Sequence, residues 1–299
     1  MTGKKVVGIV GAGRIGNALA RAARTGGHEV RVWDKDEKKL KKKRTLQETI
    51  SGADVVFLCV PSGALRSVLK SLGGILDEKA VLVSLSKGIE RRTLKIPAQI
   101  LEEFSRGSGY AILGGPMLAE ELNAGEGGIG VLGCKNRRIF SAVGDLLRDG
   151  GVKLIYARDP YSVSLAGVLK NIYSLPFGIA GALSWGGNRK GWMLVQSVKE
   201  MSEVARLLGG NANVVSGPAG LGDLSACILS SHSHNRRAGE QLVRRGRFPE
   251  NAEGVVSAPS LFKVLEKDVE GLPVLSSLKK VFREKKRARE VFEELFENS

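Results

Sequence analysis

The stretch that decides the fold is "KKVVGIVGAGRIGNALARAARTGGHEVRVWD", residues 4–34. Its first part, "KKVVGIV", is a short apolar run rich in β-branched residues and reads as a buried strand. "GAGRIG" follows at 11–16, then "NALARAARTGG", a helical stretch ending in the glycines that suit a helix C-terminus. A second strand pattern, 28–34, ends in Asp34. Strand, Gly-x-Gly-x-x-Gly, helix, strand and an acid about twenty residues beyond the turn form the fingerprint of a dinucleotide site. Gly11 permits the tight turn, Gly13 lets the backbone approach a pyrophosphate, and Gly16 lets helix pack on strand. The exposed N–H groups at the helix start bind the phosphate charge. Asp34 is suited to accept from a ribose 2′-hydroxyl, which favours NAD, while Lys35 and Lys38 just beyond offer charge to the 2′-phosphate of NADP. The cofactor read from this stretch is NAD or NADP, with a lean toward NAD.

Strand and helix patterns keep alternating after residue 34. Segments 54–60 and 80–86 read as further parallel strands, and 110–115, 127–133 and 152–158 add three more. The fold class expected is α/β, a doubly wound Rossmann-type N-terminal domain over 1–158. Ligands of such sheets bind beyond the carboxyl ends of the strands, where "PSG" at 61–63 and "KGIE" at 87–90 fall. Pro61 and Lys87 are candidates on that ground, Lys87 as an anion contact.

Strand patterns stop after "ARDP" at 157–160, and an all-helical C-terminal domain over 159–299 is expected. Its first helix, 161–183, is mostly apolar, with Lys170 almost alone in it. A buried ammonium is costly unless paired or neutralised. Lys170 therefore reads either as a snorkelling lysine or, preferably, as a proton donor whose pKa is lowered by partial burial and nearby positive charge. Pro176 and Gly178 are read as loosening this helix. Residues 187–210 give a second amphipathic helix with a glycine stop.

Composition bounds the rest. The three cysteines, Cys59, Cys134 and Cys227, are odd in number and far apart, which speaks against a disulfide framework or a cysteine zinc site. They read as buried thiols that behave as small hydrophobes. No apolar run in the sequence approaches the ~18–20 residues needed to span a bilayer, and the N-terminus runs straight into its glycine turn, so a cytoplasmic protein is expected. Of the net charge of +15, the runs 34–44 and 279–289 carry fourteen basic residues with one phenylalanine and no tyrosine between them. Stacking aromatics are lacking there, so specific nucleic-acid binding is disfavoured and attraction of small anionic ligands is the simpler use of the charge.

The chain resembles the NAD(P)-dependent glycerol-3-phosphate dehydrogenase family over essentially its whole length. "GAGRIG", "VPS", "SKGIE", "GGPMLAEEL", "GVLKN", "GPAGLGDL", "SHNRRAG" and "AEG" carry the resemblance in order and approximate spacing. What it implies is reversible hydride transfer between a nicotinamide and the central carbon of a three-carbon phosphate. Lys170 then resembles the proton donor, with Asp223 beside it. Lys87, Gly115, Ser233, Asn235 and Arg236 resemble substrate-site residues. Gly11, Gly13, Arg14, Ile15, Gly16, Asp34, Lys35, Pro61, Lys87, Ala119, His234 and Glu253 resemble cofactor contacts. A small-molecule substrate and a homodimer are further implications of the resemblance; from the residues themselves no specific nucleic-acid partner, no membrane span and no metal are expected. A metal reading of Asp223, Cys227, His232 and His234 is disfavoured, because hydride transfer from a nicotinamide requires none and His-x-His on a helix points to different faces.

Two positions depart from the family pattern. His234 stands where an arginine is expected, and Met117 where a small hydroxyl residue is expected. Histidine offers at most two N–H donors where arginine offers a permanently charged fork. These departures motivate a second reading, a two-domain dehydrogenase acting on another hydroxy acid or phosphorylated ketone. A third is a dinucleotide-binding sensor without catalysis, against which Lys170 and Asp223 argue.

Overall fold

The computed structural model describes residues 3–105, 109–249, 251–283 and 287–298. The described chain divides into two compact units, 1–86 with 96–164 and 87–95 with 165–299. Part of the basic run 279–289 lies outside the described residues.

The first unit is built on seven strands: β1 (Val6–Val10), β2 (Glu29–Trp33), β3 (Val55–Leu58), β4 (Val81–Ser84), β5 (Tyr110–Gly114), β6 (Gly128–Gly133) and β7 (Val152–Ala157). They lie in the order β2-β1-β3-β4-β5-β6-β7. The connecting helices are α1 (Arg14–Thr25), α2 (Leu46–Ile50), α3 (Ser62–Leu72), α4 (Pro97–Phe104), α5 (Ala119–Ala124) and α6 (Arg137–Leu147). Burial on both faces explains why β3 and β5 are unbroken apolar runs rather than alternating ones. One pairing departs from an all-parallel sheet: β6 runs antiparallel to β5, Ile112 opposite Gly133. The order of strands reverses at β1, between β2 and β3, so the crevice of a doubly wound sheet falls at the ends of β1 and β3.

The second unit is helical: α7 (Pro160–Ala182, whose first turn is counted with the first unit), α8 (Gly187–Leu207), α9 (Ala212–Val215), α10 (Asp223–Leu229), α11 (His234–Arg245), α12 (Glu253–Leu265), α13 (Pro273–Arg283) and α14 (Ala288–Glu297). Helix α7 is long and apolar enough to cross a membrane, contrary to the sequence reading, but that apolar stretch is wholly packed inside the protein. It is a core helix. Nor does it loosen at Gly178: a Cβ there would collide with the carbonyl oxygen of Arg236, so the glycine lets α11 lie close against α7. Gly239 on α11 does the same in return, its place for a Cβ taken by the Leu175 carbonyl.

Glu200 ties this bundle together from a buried position on α8. Its carboxylate accepts from the backbone N–H groups of Val274 and Leu275 at the start of α13, at 2.7 and 3.0 Å, and from the Tyr173 hydroxyl of α7 at 3.0 Å. These donors are the orphan amides of a helix N-terminus, where a carboxylate is best placed. Glu200→Ala strips partners from all three, at about 1–3 kcal/mol for each buried group. The melting temperature is expected to fall by roughly 10 °C or more, measured by circular dichroism. Burial also outweighs these hydrogen bonds and raises the Glu200 pKa. A carboxyl raised in the fold contributes stability that is complete below its unfolded value and lost as pH rises through the folded one. Glu200→Gln removes that slope.

Candidate active site

In the first unit the glycine turn is fixed by close contacts. Gly11 has φ of +108°, a conformation that L side chains rarely adopt, and a Cβ there would collide with the Cys59 carbonyl at the end of β3. A Cβ on Gly16 would collide with the Gly11 carbonyl oxygen, so the first turn of α1 is pressed onto the end of β1. Gly13 differs: a Cβ there would meet nothing within 4 Å, and α1 carries no acid in its first turn. Open space at the N-terminus of a twelve-residue helix free of first-turn acids suits a pyrophosphate.

Asp34 closes the other side of this turn. Its carboxylate accepts from the Ala12 N–H at 2.7 Å and the Asp36 N–H at 2.8 Å, with the Lys39 ammonium 3.7 Å away. The acid that reads as a ribose contact thus also tethers the glycine loop to the end of β2. Arg14 is ion-paired with Glu120 of α5, Ile15 packs on the core, and Lys35 is exposed. Pro61 is an exposed N-cap of α3, and Ala119 begins α5. Gly115, at φ +92°, lies where a Cβ would come within 2.9 Å of the Ile129 carbonyl oxygen. Met117 is a buried member of the hydrophobic core of this unit, 8% exposed.

The second unit brings Lys87, Lys170 and Asp223 together. A π-helical turn over Pro218–Gly222 leads directly into α10, whose first residue is Asp223. Lys170, on the buried α7, places Nζ 3.0 Å from Asp223 Oδ1. Lys87 places Nζ 2.6 Å from Oδ2 of the same carboxylate. Cys227, one helical turn beyond Asp223, accepts from Lys170 Nζ at 3.1 Å. Two of the three protons of the Lys170 ammonium are thereby directed to α10, and one is left for another acceptor.

The electrostatics of this cluster correct the sequence reading. Burial works against the Lys170 charge, but the Asp223 carboxylate and Cys227 outweigh it, and its pKa is raised rather than lowered. Lys87 is the lysine whose pKa is lowered, because burial and the Lys170 charge together outweigh its pairing with Asp223. Burial opposes the charge of Asp223 as well, yet the two lysines prevail and hold its carboxyl below the usual range. Cys227 is not a bystander hydrophobe but a hydrogen-bond partner of Lys170, a role signalled in the sequence only by its i+4 spacing from Asp223.

Beyond α10 the polar groups are committed to the fold. Ser233 caps α11 by accepting from the Arg236 N–H at 3.3 Å. Arg236 donates to Ser230 O at 3.2 Å and pairs with Glu240 at 2.6 Å. His232 lies in the turn before α11 and His234 is its first residue, so the two do not share a helix; the His234 ring lies 3.5 Å from Arg237. Glu253 sits in the first turn of α12. Among the described residues no three His, Cys, Asp or Glu side chains are grouped to hold a metal ion.

The chain is similar to known proteins along most of its length. The family description "NAD-dependent glycerol-3-phosphate dehydrogenase C-terminus" matches residues 159–293, and the corresponding N-terminus matches 35–139. A protein named glycerol-3-phosphate dehydrogenase (NAD(P)+) from Fusobacterium nucleatum is 30% identical over 321 residues, covering 97% of this chain and 96% of that protein. One of the same name from Azotobacter vinelandii is 30% identical over 328 residues, covering 99% and 95%. The crystal structure of glycerol-3-phosphate dehydrogenase from Coxiella burnetii shares the fold with a TM-score of 0.88 at 23% identity, over 98% of this chain and 99% of that one. A ketopantoate reductase from Ralstonia eutropha shares it at a TM-score of 0.57 and 18% identity, over 93% and 98%. The fold alone therefore does not select a substrate. Sequence identity over nearly the full length does select a family, and the chain belongs to the NAD(P)-dependent glycerol-3-phosphate dehydrogenase family.

Proposed function

We propose that this chain catalyses the reversible reduction of dihydroxyacetone phosphate to sn-glycerol 3-phosphate with NAD(H) or NADP(H), leaning toward NAD(H). The observation that carries the reading is the buried Lys170–Asp223–Lys87 cluster, with its two ammonium groups on one carboxylate. The nicotinamide supplies the hydride when bound. Lys170 supplies the proton to the developing alkoxide and stabilises its charge, with Asp223 and Cys227 fixing the direction of its remaining N–H. Lys87 attracts the anionic substrate, and the phosphate handle orients the reacting carbon through binding remote from it.

In this reading residues 1–158 carry most of the dinucleotide site and 159–299 most of the substrate site, the protein works in the cytoplasm, and a homodimer is its assembly. Gly11, Gly13, Arg14, Ile15, Gly16, Asp34, Lys35, Pro61 and Ala119 serve the cofactor, with His234 and Glu253. Gly115, Ser233, Asn235 and Arg236 belong to the substrate site.

The test is oxidation of NADH and NADPH by the purified protein with dihydroxyacetone phosphate, followed by loss of the reduced-nicotinamide absorbance. NADH is expected to be the better donor. Asp34→Asn keeps one acceptor for the Ala12 N–H and removes the charge that meets the ribose hydroxyls. It is expected to shift the NADH-to-NADPH ratio of kcat/KM toward NADPH by about tenfold, the worth of one charge-assisted hydrogen bond. An unchanged ratio would leave Asp34 as a loop tether alone.

A further inference from the structure

An acid at the end of the second strand favours NAD because its charge repels the 2′-phosphate of NADP. In this chain Asp34 does not stand alone. The run 34–44 carries seven basic residues and three acids, and the fold directs one of the lysines back onto Asp34. Asp34 Oδ1 accepts from the Asp36 N–H at 2.8 Å, and Asp36 Oδ1 accepts in turn from the Lys38 N–H at 3.2 Å. These two side-chain turns lead into a 3₁₀ turn, Glu37–Lys39, in which the Lys39 N–H donates to the Asp36 carbonyl at 3.1 Å. The chain is thereby folded back, and the Lys39 ammonium lies 3.7 Å from Asp34 Oδ1 and 3.9 Å from Asp36 Oδ2. Lys43 is taken by Glu37 at 2.7 Å. Among the described residues it is Lys39, rather than Lys35 or Lys38, that reaches Asp34.

We propose that Lys39 sets how strictly this site separates NAD(H) from NADP(H). Its ammonium offsets the Asp34 charge, so that a 2′-phosphate is admitted where the acid alone would exclude it. The inference rests on the reading of Asp34 as the ribose contact. The two side chains differ in freedom. Asp34 is 14% exposed and its Oδ2 is held by the Ala12 N–H at 2.7 Å, so it cannot swing away from a phosphate placed beside it. Lys39 is 50% exposed and carries a compact charge on a flexible stem, so its three N–H donors can turn from the carboxylate to a phosphate without breaking a buried contact. A unit charge at about 4 Å shifts an equilibrium about fivefold in water-like surroundings, and further against a doubly charged phosphate. That is enough to turn an NAD site into one that accepts both cofactors.

The experiment measures dissociation constants of NADH and NADPH from the purified protein without substrate, by the change in reduced-nicotinamide fluorescence. The wild-type protein is expected to bind both, NADPH within about tenfold of NADH. Lys39→Ala is expected to raise the NADPH constant about tenfold and to leave that of NADH within about twofold. Lys39→Arg keeps the charge and is expected to keep the wild-type ratio. The loss in Lys39→Ala is expected to shrink at about 1 M salt, where screening acts within about 3 Å. A structural role in the loop would show neither the rescue by arginine nor the salt dependence. An equal rise for both cofactors, or no change for either, overturns the proposal. So does a loss of NADPH binding in Lys35→Ala that Lys39→Ala does not share. Wild-type protein that binds NADH and excludes NADPH also overturns it, while leaving the glycine turn a dinucleotide site. Binding of neither cofactor would sink that reading itself, and with it this inference.

Discussion

Lys170→Met is expected to lower kcat for dihydroxyacetone phosphate reduction by about a thousandfold, within the usual span for loss of a general acid. Methionine fills the volume of the lysine stem inside α7 and removes only the ammonium, so the fold and dinucleotide binding are expected to persist. The size of the effect follows from the surroundings. The ammonium is held charged by the Asp223 carboxylate and Cys227 in a site where water has little access, and there a donor aimed at a developing alkoxide acts at full strength. The raised pKa also predicts an asymmetry between the two directions. In the proposed reaction reduction uses the charged lysine, so its rate is expected to be flat across neutral pH. The same proposal has the lysine accept a proton during oxidation of glycerol 3-phosphate, so that kcat is expected to climb as pH rises toward the lysine pKa. Steady-state rates in both directions, across pH, measure both points. A Lys170→Met enzyme within tenfold of wild type would pass the proton-donor role to another group, Lys87 being the nearest candidate.

The second large effect is on folding. Asp223→Ala leaves two ammonium groups facing the space of one missing carboxylate, with Lys170 nearly inaccessible and Lys87 only partly exposed. Removing one partner from a buried charge cluster costs about 3–5 kcal/mol. A fall of the melting temperature by roughly 10 °C, together with loss of turnover, is the expected outcome. The cause is distinguishable from simple loss of packing. Adding Lys170→Met to Asp223→Ala removes the stranded charge and is expected to restore part of the stability, a coupling of opposite sign to two independent losses. Thermal melts of the two single variants and the double variant decide it, and a strictly additive result would mean that the lysines do not depend on Asp223 for their burial.

The parts of the molecule that could be read from sequence are those where a local constraint selects a residue type. Gly11 and Gly16 are glycine because their surroundings leave no room for a Cβ, and that demand is visible in a short stretch of chain. The buried strands are equally plain, since both faces require apolar side chains. Strand direction leaves no such mark, and the reversal of β6 against β5 had no counterpart in its composition. The direction of the Lys170 pKa shift is illegible in sequence for a related reason: its partners Asp223 and Cys227 are remote along the chain, and only the fold decides that a carboxylate rather than another cation is its nearest neighbour. Gly178 shows the same ambiguity, since a glycine that loosens a helix and one that admits a neighbouring helix look alike in sequence. For Asn235 and Arg236, sequence exposes the donors but not the acceptors, Asn171 and Glu240, that they meet in the fold.

The segment 87–95 leaves the sheet-bearing unit, joins the helical one and returns, so the two units are interleaved along the chain rather than joined end to end. A dissection at 158/159 therefore does not yield two independent modules. The C-terminal piece would carry Lys170 and Asp223 but lack Lys87, whose carbonyl oxygen accepts from Asn171. In recombination between homologues, a crossover near 159 inherits the two lysines of one carboxylate from different parents. Chimeras that exchange 87–95 together with 165–299 keep the cluster whole, which makes that discontinuous block the natural unit of exchange in this protein.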